Sequence, residues 1–194
     1  GVVITSDASY NLVGTDGIGA DNHVERNLIA ALEGSTGRMS GVFVSQAHYN
    51  TIAGNYIGTN KVGDTSSLNV IVGTYTYTPF AGIWVTNGST HNLIGTNSDN
   101  QGDSDERNVI AGYASNQIRI GDAIDSSYPP SQYNQVSGNY VGINAAGTAA
   151  VVSDYFWYNG GVHISTGASH NVVGTNGDGM NDLGERNVIA GNAI

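Results

Sequence analysis

Three loops rich in Asp, Asn and Gly carry ten of the sixteen acidic residues of this 194-residue chain. The loops share one length, because the same spacing separates the opening Gly from the Asn after an Arg: Gly14 to Asn27, Gly95 to Asn108 and Gly174 to Asn187. Ca²⁺ binds roughly six to eight oxygen atoms of carboxylates, amides and carbonyls, and Gly permits the tight wrap. The second and third loops are therefore predicted to bind calcium, through Asn97, Asp99, Asp103 and Glu106 and through Asn176, Asp178, Asp182 and Glu185.

The first loop is the weakest of these candidates, because Ile18 stands where the other two have Asp. A turn of Asp, Asn and Gly that needs no ion is the alternative interpretation. Each loop ends in a Glu-Arg pair: Glu25–Arg26, Glu106–Arg107 and Glu185–Arg186. Some polysaccharide lyases use an Arg as catalytic base, but a catalytic residue is needed only once and this Arg recurs in every loop. We therefore interpret it as a bridge that holds the loop to the body of the protein.

A second candidate surface is an outward stripe that includes Phe43, Trp84, Arg119 and His163. Sugars could stack on its aromatic rings while Arg119 binds an acidic group. The stripe carries no carboxylate, whereas glycoside hydrolysis needs two of them about 5–9.5 Å apart. These four residues are thus predicted as a glycan contact, and no residue is predicted to be catalytic.

Short strands must position these side chains, and three strand patterns recur in fixed order. The first appears as "GVVI", "GVFV", "GIWV", "QIRI" and "GVHI", and the second and third each start with Asn, as in "NTIAG" and "NYIG". The chain therefore divides into five units of three strands. Period-two alternation assigns the inward positions, and all twenty are Val or Ile.

A single unit cannot bury its own apolar row, so the units are predicted to stack about 4.8 Å apart as a parallel β-solenoid. Two Asn columns support this arrangement, because stacked amides at a corner can hydrogen-bond along the stack. They are Asn11, Asn50, Asn92, Asn134 and Asn171, and Asn27, Asn55, Asn108, Asn139 and Asn187. His91 and His170 share a column with Tyr10, Tyr49 and Tyr133 and are interpreted as corner fillers.

Two kinds of unit alternate along the chain. The first, third and fifth carry the acidic loops, whereas the second and fourth carry long insertions with the aromatic segments "TYTYTPF" (74–80) and "DYFWY" (154–158). This alternation places the three acidic loops along one edge, about 10 Å apart.

The patterns "GVxI", "NxIAGNYIGTN" and "GTNGDGxxDxxERNVIAGN" resemble the right-handed parallel β-helix repeats of very large secreted or surface proteins of bacteria, in the pectate-lyase-like superfamily. The resemblance covers essentially the whole chain, and it implies the right-handed sense of the helix. It leaves activity open, because that superfamily includes lyases, hydrolases, epimerases, adhesins and passive spacers.

Composition narrows the classes of partner. A net charge of −10 with only six Lys and Arg residues argues against nucleic acid. No stretch approaches the ~20 apolar residues of a membrane span. The chain is predicted to be one domain, 1–194, without caps, as a portion of a longer rod or a unit that associates end to end.

Together these observations predict a non-catalytic, rod-forming module of an extracellular or cell-surface protein, stiffened by Ca²⁺ and used in adhesion, spacing or assembly. The alternative is a polysaccharide-binding or polysaccharide-modifying β-helix.

Overall fold

The computed structural model describes residues 1–30, 40–67, 81–121, 127–152 and 160–192. These ranges contain fifteen short strands and one turn of 3-10 helix at Asn22–Val24. The strands form three parallel sheets of five strands each. Within the described ranges, no helix is long and apolar enough to cross a membrane.

Every third strand of the chain belongs to the same sheet. Sheet one contains β1 (Val2–Thr5), β4 (Ser40–Ser45), β7 (Ala81–Thr86), β10 (Asn116–Ile120) and β13 (Gly160–Ile164). Sheet two contains β2 (Leu12–Gly14), β5 (Thr51–Ala53), β8 (Leu93–Gly95), β11 (Gln135–Ser137) and β14 (Val172–Val173). Sheet three contains β3 (Leu28–Ile29), β6 (Tyr56–Ile57), β9 (Val109–Ile110), β12 (Tyr140–Val141) and β15 (Val188–Ile189). The predicted parallel β-helix is confirmed, with coil one formed by β1–β3 and coil five by β13–β15.

The predicted apolar columns are aligned from coil to coil. Along sheet three, for example, Ile29 lies opposite Ile57, Ile57 opposite Ile110, Ile110 opposite Val141, and Val141 opposite Ile189. In coils two to four every predicted inward Val and Ile is fully buried. The β-branched side chains fit this arrangement because they pack well on a pleated surface.

The prediction of a buried interior is wrong for three positions, all of them in coil five. Ile164, Val173 and Ile189 are 42%, 39% and 45% exposed. These side chains point in the predicted direction, but burial in a solenoid needs a neighbouring coil on each side.

Both Asn columns form continuous hydrogen-bonded ladders, as predicted. Asn50 is typical, because its backbone N–H and its Nδ2 both donate to Oδ1 of Asn92, at 3.0 Å each. Its Nδ2 also donates to the carbonyl of Ala8 in the preceding coil at 3.0 Å. Each inner Asn thus joins three coils, and no turn amide in the ladder loses its partner on burial.

An aromatic column runs beside the first Asn ladder. Tyr10, Tyr49, His91, Tyr133 and His170 stack with ring centroids 4.8–5.2 Å apart. All five residues have φ between 55° and 58°, in the left-handed region that non-glycine residues seldom adopt, so the same turn recurs in every coil. The two histidines therefore fill the column, as the sequence predicted.

Candidate functional site

The second acidic loop, 95–108, is held by its own polar side chains. The Thr96 hydroxyl donates to Oδ1 of Asp103 at 2.9 Å and accepts the backbone N–H of Ser98 at 2.9 Å. Asn97 accepts the N–H of Asp99 at 3.0 Å, and Asp99 accepts the N–H of Gln101 at 2.8 Å. These are side-chain-to-backbone turns that Asn, Asp and Thr form without an ion.

The third loop, 174–187, repeats this arrangement. The Thr175 hydroxyl donates to Oδ1 of Asp182 at 3.0 Å. Asn176 accepts the N–H of Asp178 at 2.9 Å, and Asp178 accepts the N–H of Met180 at 2.7 Å. The shared bonds explain why the two loops keep one length while the residues between their fixed positions differ.

A buried Glu closes each of these two loops. Glu106 is 2% exposed, and its Oε2 accepts the N–H of Asn97 at 3.0 Å. Glu185 is 1% exposed and accepts the N–H of Asn176 at 2.8 Å. Burial, followed by the charges of Asp103 and Asp99, raises the pKa of Glu106 above its ordinary value. The sequence placed these Glu residues among calcium ligands and did not predict that they would be buried.

The eight predicted calcium ligands lie in these two loops, and each accepts at least one hydrogen bond from the protein. Within the ranges described above, no three His, Asp or Glu side chains are grouped so that they could hold a metal ion. A calcium ion would therefore have to replace several of these hydrogen bonds and draw the carboxylates together. Calcium binding stays a prediction.

The three loops also contact one another along the predicted edge. Asn22 of the first loop donates to Oδ2 of Asp105 at 3.3 Å, and Asn181 of the third donates to Oδ2 of Asp103 at 2.6 Å. Side chains thus span the interval that was predicted to separate the loops, and the edge is one continuous acidic surface.

In coils one and three, the Arg after the Glu reaches forward to the next coil. Arg26 donates from Nε to the carbonyl of Gly54 at 3.2 Å, and its guanidinium carbon lies 4.1 Å from the ring centre of Tyr56. Arg107 does the same with the carbonyl of Gly138 at 3.0 Å and the ring of Tyr140 at 4.3 Å. The interpretation of this Arg as a bridge is confirmed for Arg26 and Arg107. The Tyr partner was not predicted, although the recurring "GNY" of coils two and four could have indicated it.

The following acidic-loop coil holds the same Gly from the other side. Gly54 donates its N–H to the main-chain oxygen of Glu106 at 2.6 Å, and Gly138 donates to that of Glu185 at 2.8 Å. Coils two and four, which have no acidic loop, are thus each bonded on one side to the Arg of the preceding coil and on the other side to the main-chain oxygen of a Glu in the following coil. We call this arrangement the clasp.

The predicted glycan-contact stripe is covered at its centre. Trp84 is 1% exposed, and its indole N–H donates to the carbonyl of Gly121 at 2.9 Å. Phe43 packs edge-to-face on it with ring centroids 5.2 Å apart. Arg119 and His163 are half-buried, and burial together with Arg119 lowers the pKa of His163. In this conformation Trp84 offers no ring face to a sugar.

A groove that the sequence did not predict lies between the aromatic column and the acidic edge. It has a volume of about 290 Å³ and is lined by Tyr10, Leu12, Tyr49, Thr51 and Glu106, among others. The rings of Tyr10 and Tyr49 that line it are stacked on each other, with centroids 5.2 Å apart. The two aromatic insertions, 74–80 and 154–158, lie outside the described residues.

A scan of protein-family models, a search of curated proteins and a search of solved structures each returned no match to this chain. The fold and the contacts above are therefore the basis on which its function can be argued.

Proposed function

We propose that this chain is a non-catalytic, rod-forming structural module of an extracellular or cell-surface protein, working in adhesion, spacing or assembly. The observation that carries the proposal is the pair of unbroken Asn ladders, which bond every coil to the next from Asn11 to Asn171 and from Asn27 to Asn187. A continuous polar spine of this kind stiffens a solenoid and requires no ligand.

The acidic loops support the same role, because their conspicuous side chains stabilise structure. Glu106 and Glu185 close loops, Arg26 and Arg107 join coils, and their bonds repeat with the coils. A catalytic group would be expected at one position, with a neighbouring acid or base to complete it. Because these bonds recur from coil to coil along the helix axis, they favour a structural role for the residues that form them.

The alternative, a polysaccharide-binding or polysaccharide-modifying β-helix, has two candidate surfaces. On the stripe, the buried position of Trp84 weighs against sugar stacking. The groove beside Tyr10 and Tyr49 is open, and it lies against the acidic edge, so a neutral or cationic sugar would suit it better than an acidic one.

A screen of polysaccharides separates the two proposals. The purified chain is incubated with neutral, acidic and amino-sugar polymers while reducing ends, unsaturated products and binding are followed. The structural role predicts neither turnover nor saturable binding. Turnover that disappears in His163→Ala with an unchanged thermal midpoint would defeat it, as would binding that disappears when Thr51→Trp fills the groove.

Calcium stiffening is a separate part of the proposal, and it rests on the ten acidic residues gathered at one edge. Because the ion would compete with hydrogen bonds already formed, we expect affinity only in the range of about 0.1–1 mM that is typical of extracellular modules. The test is the thermal midpoint with 10-fold excess Ca²⁺ over that range and with chelator, since a ligand of the native state must stabilise it. An unchanged midpoint would remove calcium from the account.

A further inference from the structure

The groove between the aromatic column and the acidic edge is formed by three neighbouring coils. Asp16 of the first acidic loop and Asn97 and Glu106 of the second line it, and so does Thr51 of coil two, which has no acidic loop. Its volume of about 290 Å³ is just below the roughly 300 Å³ at which pockets for drug-sized ligands begin. The groove therefore suits one small chemical group better than a polymer chain.

Glu106 brings a buried carboxylate to this groove. It is 2% exposed, and its Oε2 accepts the N–H of Asn97 at 3.0 Å, whereas none of the described N–H groups donates to Oε1. No described cationic side chain forms an ion pair with it. Buried charges are normally paired, so a positively charged donor in the groove would complete the bonds of this carboxylate.

The corresponding position over coil four shows which kind of group Oε1 would accept. Gln135 stands there in place of Thr51, and both residues pair with Leu93 in the outward column of sheet two. Nε2 of Gln135 lies 3.5 Å from Oε1 of Glu185, the residue that closes the third loop as Glu106 closes the second. Thr51 is too short to carry such a group, so coil two leaves open the place that a side-chain N–H₂ takes in coil four.

The two positions also differ in charge. The first loop has Asp16 where the second has Asn97, so the groove over coil two is lined by one more carboxylate than the equivalent position over coil four. An ammonium group suits this difference, because charge-assisted hydrogen bonds are the stronger ones. Leu12 and the rings of Tyr10 and Tyr49 offer apolar surface to the methylene groups that would carry it.

We propose that this groove binds a primary alkylammonium group, the Lys side chain of a partner protein, which donates to Oε1 of Glu106 and to the hydroxyl of Thr51. The acidic edge then faces the basic surface around that Lys, and complementary charge of this kind steers association. A free polyamine carries the same group and is the other possible source of it. The proposal adds a binding site to the structural role and does not rest on polysaccharide binding.

Titration with n-butylammonium, which has the four-carbon stem of Lys, tests the groove. With chelator present, amide chemical shifts of Thr51 and Asn97 should change saturably, and n-butanol should not reproduce the change. Thr51→Gln copies the coil-four arrangement into coil two and should weaken binding at least about tenfold. Thr51→Ser is the matched control, because it keeps the hydroxyl and the open space, and it should bind as the wild type does.

Glu106→Gln provides a second variant that keeps an oxygen for the N–H of Asn97, and it should also weaken binding at least about tenfold. No saturable change in the wild type would overturn the proposal. Equal affinity in the wild type and Thr51→Gln would overturn it as well, because it would show that the acidic edge attracts amines without a defined site.

Peptides separate the two sources of the ammonium group. A peptide with one Lys between neutral residues should compete with n-butylammonium at the Thr51 amide, and its acetylated form should not. Displacement by spermidine but not by the Lys peptide would assign the groove to a free amine and overturn the partner. None of these measurements uses a polysaccharide, so their failure would leave the proposed structural role standing, and a positive polysaccharide screen is a separate result.

Discussion

Coils three and five are both acidic-loop coils, and their core positions are aligned in the same columns through coil four. Ile110 of coil three is fully buried, but Ile189 of coil five is 45% exposed. Arg107 stacks on Tyr140 of coil four, whereas Arg186 is exposed to solvent. Two stretches of similar sequence thus have different energetics, because the core, the ladders and the clasp of a coil are completed by its neighbours.

The largest contrast is expected in the apolar core. Ile110→Ala should cost about 3–4 kcal/mol of unfolding free energy, because it removes buried methyl groups and leaves a cavity. Ile189→Ala should cost less than about 1.5 kcal/mol, because its side chain is half exposed already and the site can relax. Urea unfolding gives the loss of unfolding free energy for each variant, and equal losses would contradict the proposed difference between coils three and five.

The ladder should give the next largest difference. Asn108 is fully buried and donates to the carbonyl of Ile52 at 2.8 Å and to Oδ1 of Asn139 at 2.9 Å. Asn108→Ala should therefore cost about 2–3 kcal/mol, because buried partners lose their bonds. Asn187→Ala, at the open end of the same ladder, should cost about 1 kcal/mol. Denaturant midpoints with unchanged slopes are the readout, and a costlier change at Asn187 would contradict the account.

The clasp should contribute less than the ladder, since it lies nearer to solvent. Arg107→Ala should cost about 1 kcal/mol through the lost bond to Gly138 and the lost stacking on Tyr140. Arg186→Ala should change stability by no more than about 0.3 kcal/mol. Arg107→Lys serves as the control, because it keeps the charge without the planar stacking and should recover only part of the loss.

The smallest predicted effect concerns pH. Folding raises the pKa of Glu106 through burial, so the stability it contributes is present below the unfolded pKa of about 4.3 and is lost as pH rises through the folded pKa. Glu106→Gln removes the titrating group and keeps an oxygen that can accept the N–H of Asn97. The difference in thermal midpoint between this variant and the wild type should therefore be more positive at pH 7 than at pH 4. A constant difference in thermal midpoint across that pH range would show that folding does not raise the pKa of Glu106.

Most of the fold could be predicted from the sequence, because the repeated elements obey simple periodicity. Alternation identified inward residues such as Ile52 and Ile94, and recurrence identified the Asn ladders and the Tyr–His column. Because a solenoid repeats the same local environment, the sequence contains five examples of each structural position, and a pattern shared by all five is a strong signal.

The contacts of the acidic loops and of the outward stripe were harder to predict, because they depend on which residues of neighbouring coils each side chain reaches. Alternation placed Trp84 on an outward face, but an outward direction does not guarantee exposure, and the indole is buried. The bond from Asn181 to Asp103 joins residues 78 positions apart in loops of irregular structure. The Arg–Tyr contact of the clasp joins two coil types, and comparing acidic loops only with each other could not show it.

The central claim is that each coil of this rod is stabilised by its neighbours through shared columns. Native-state hydrogen exchange, resolved by residue, tests it most directly. The strand amides of Val109 and Ala111 in coil three, which bond to coil two, should exchange only through global unfolding, whereas those of Val188 and Ala190 in coil five should exchange through local fraying at a lower free energy. Equal protection in the two coils would show that coils are stable individually and would contradict the account.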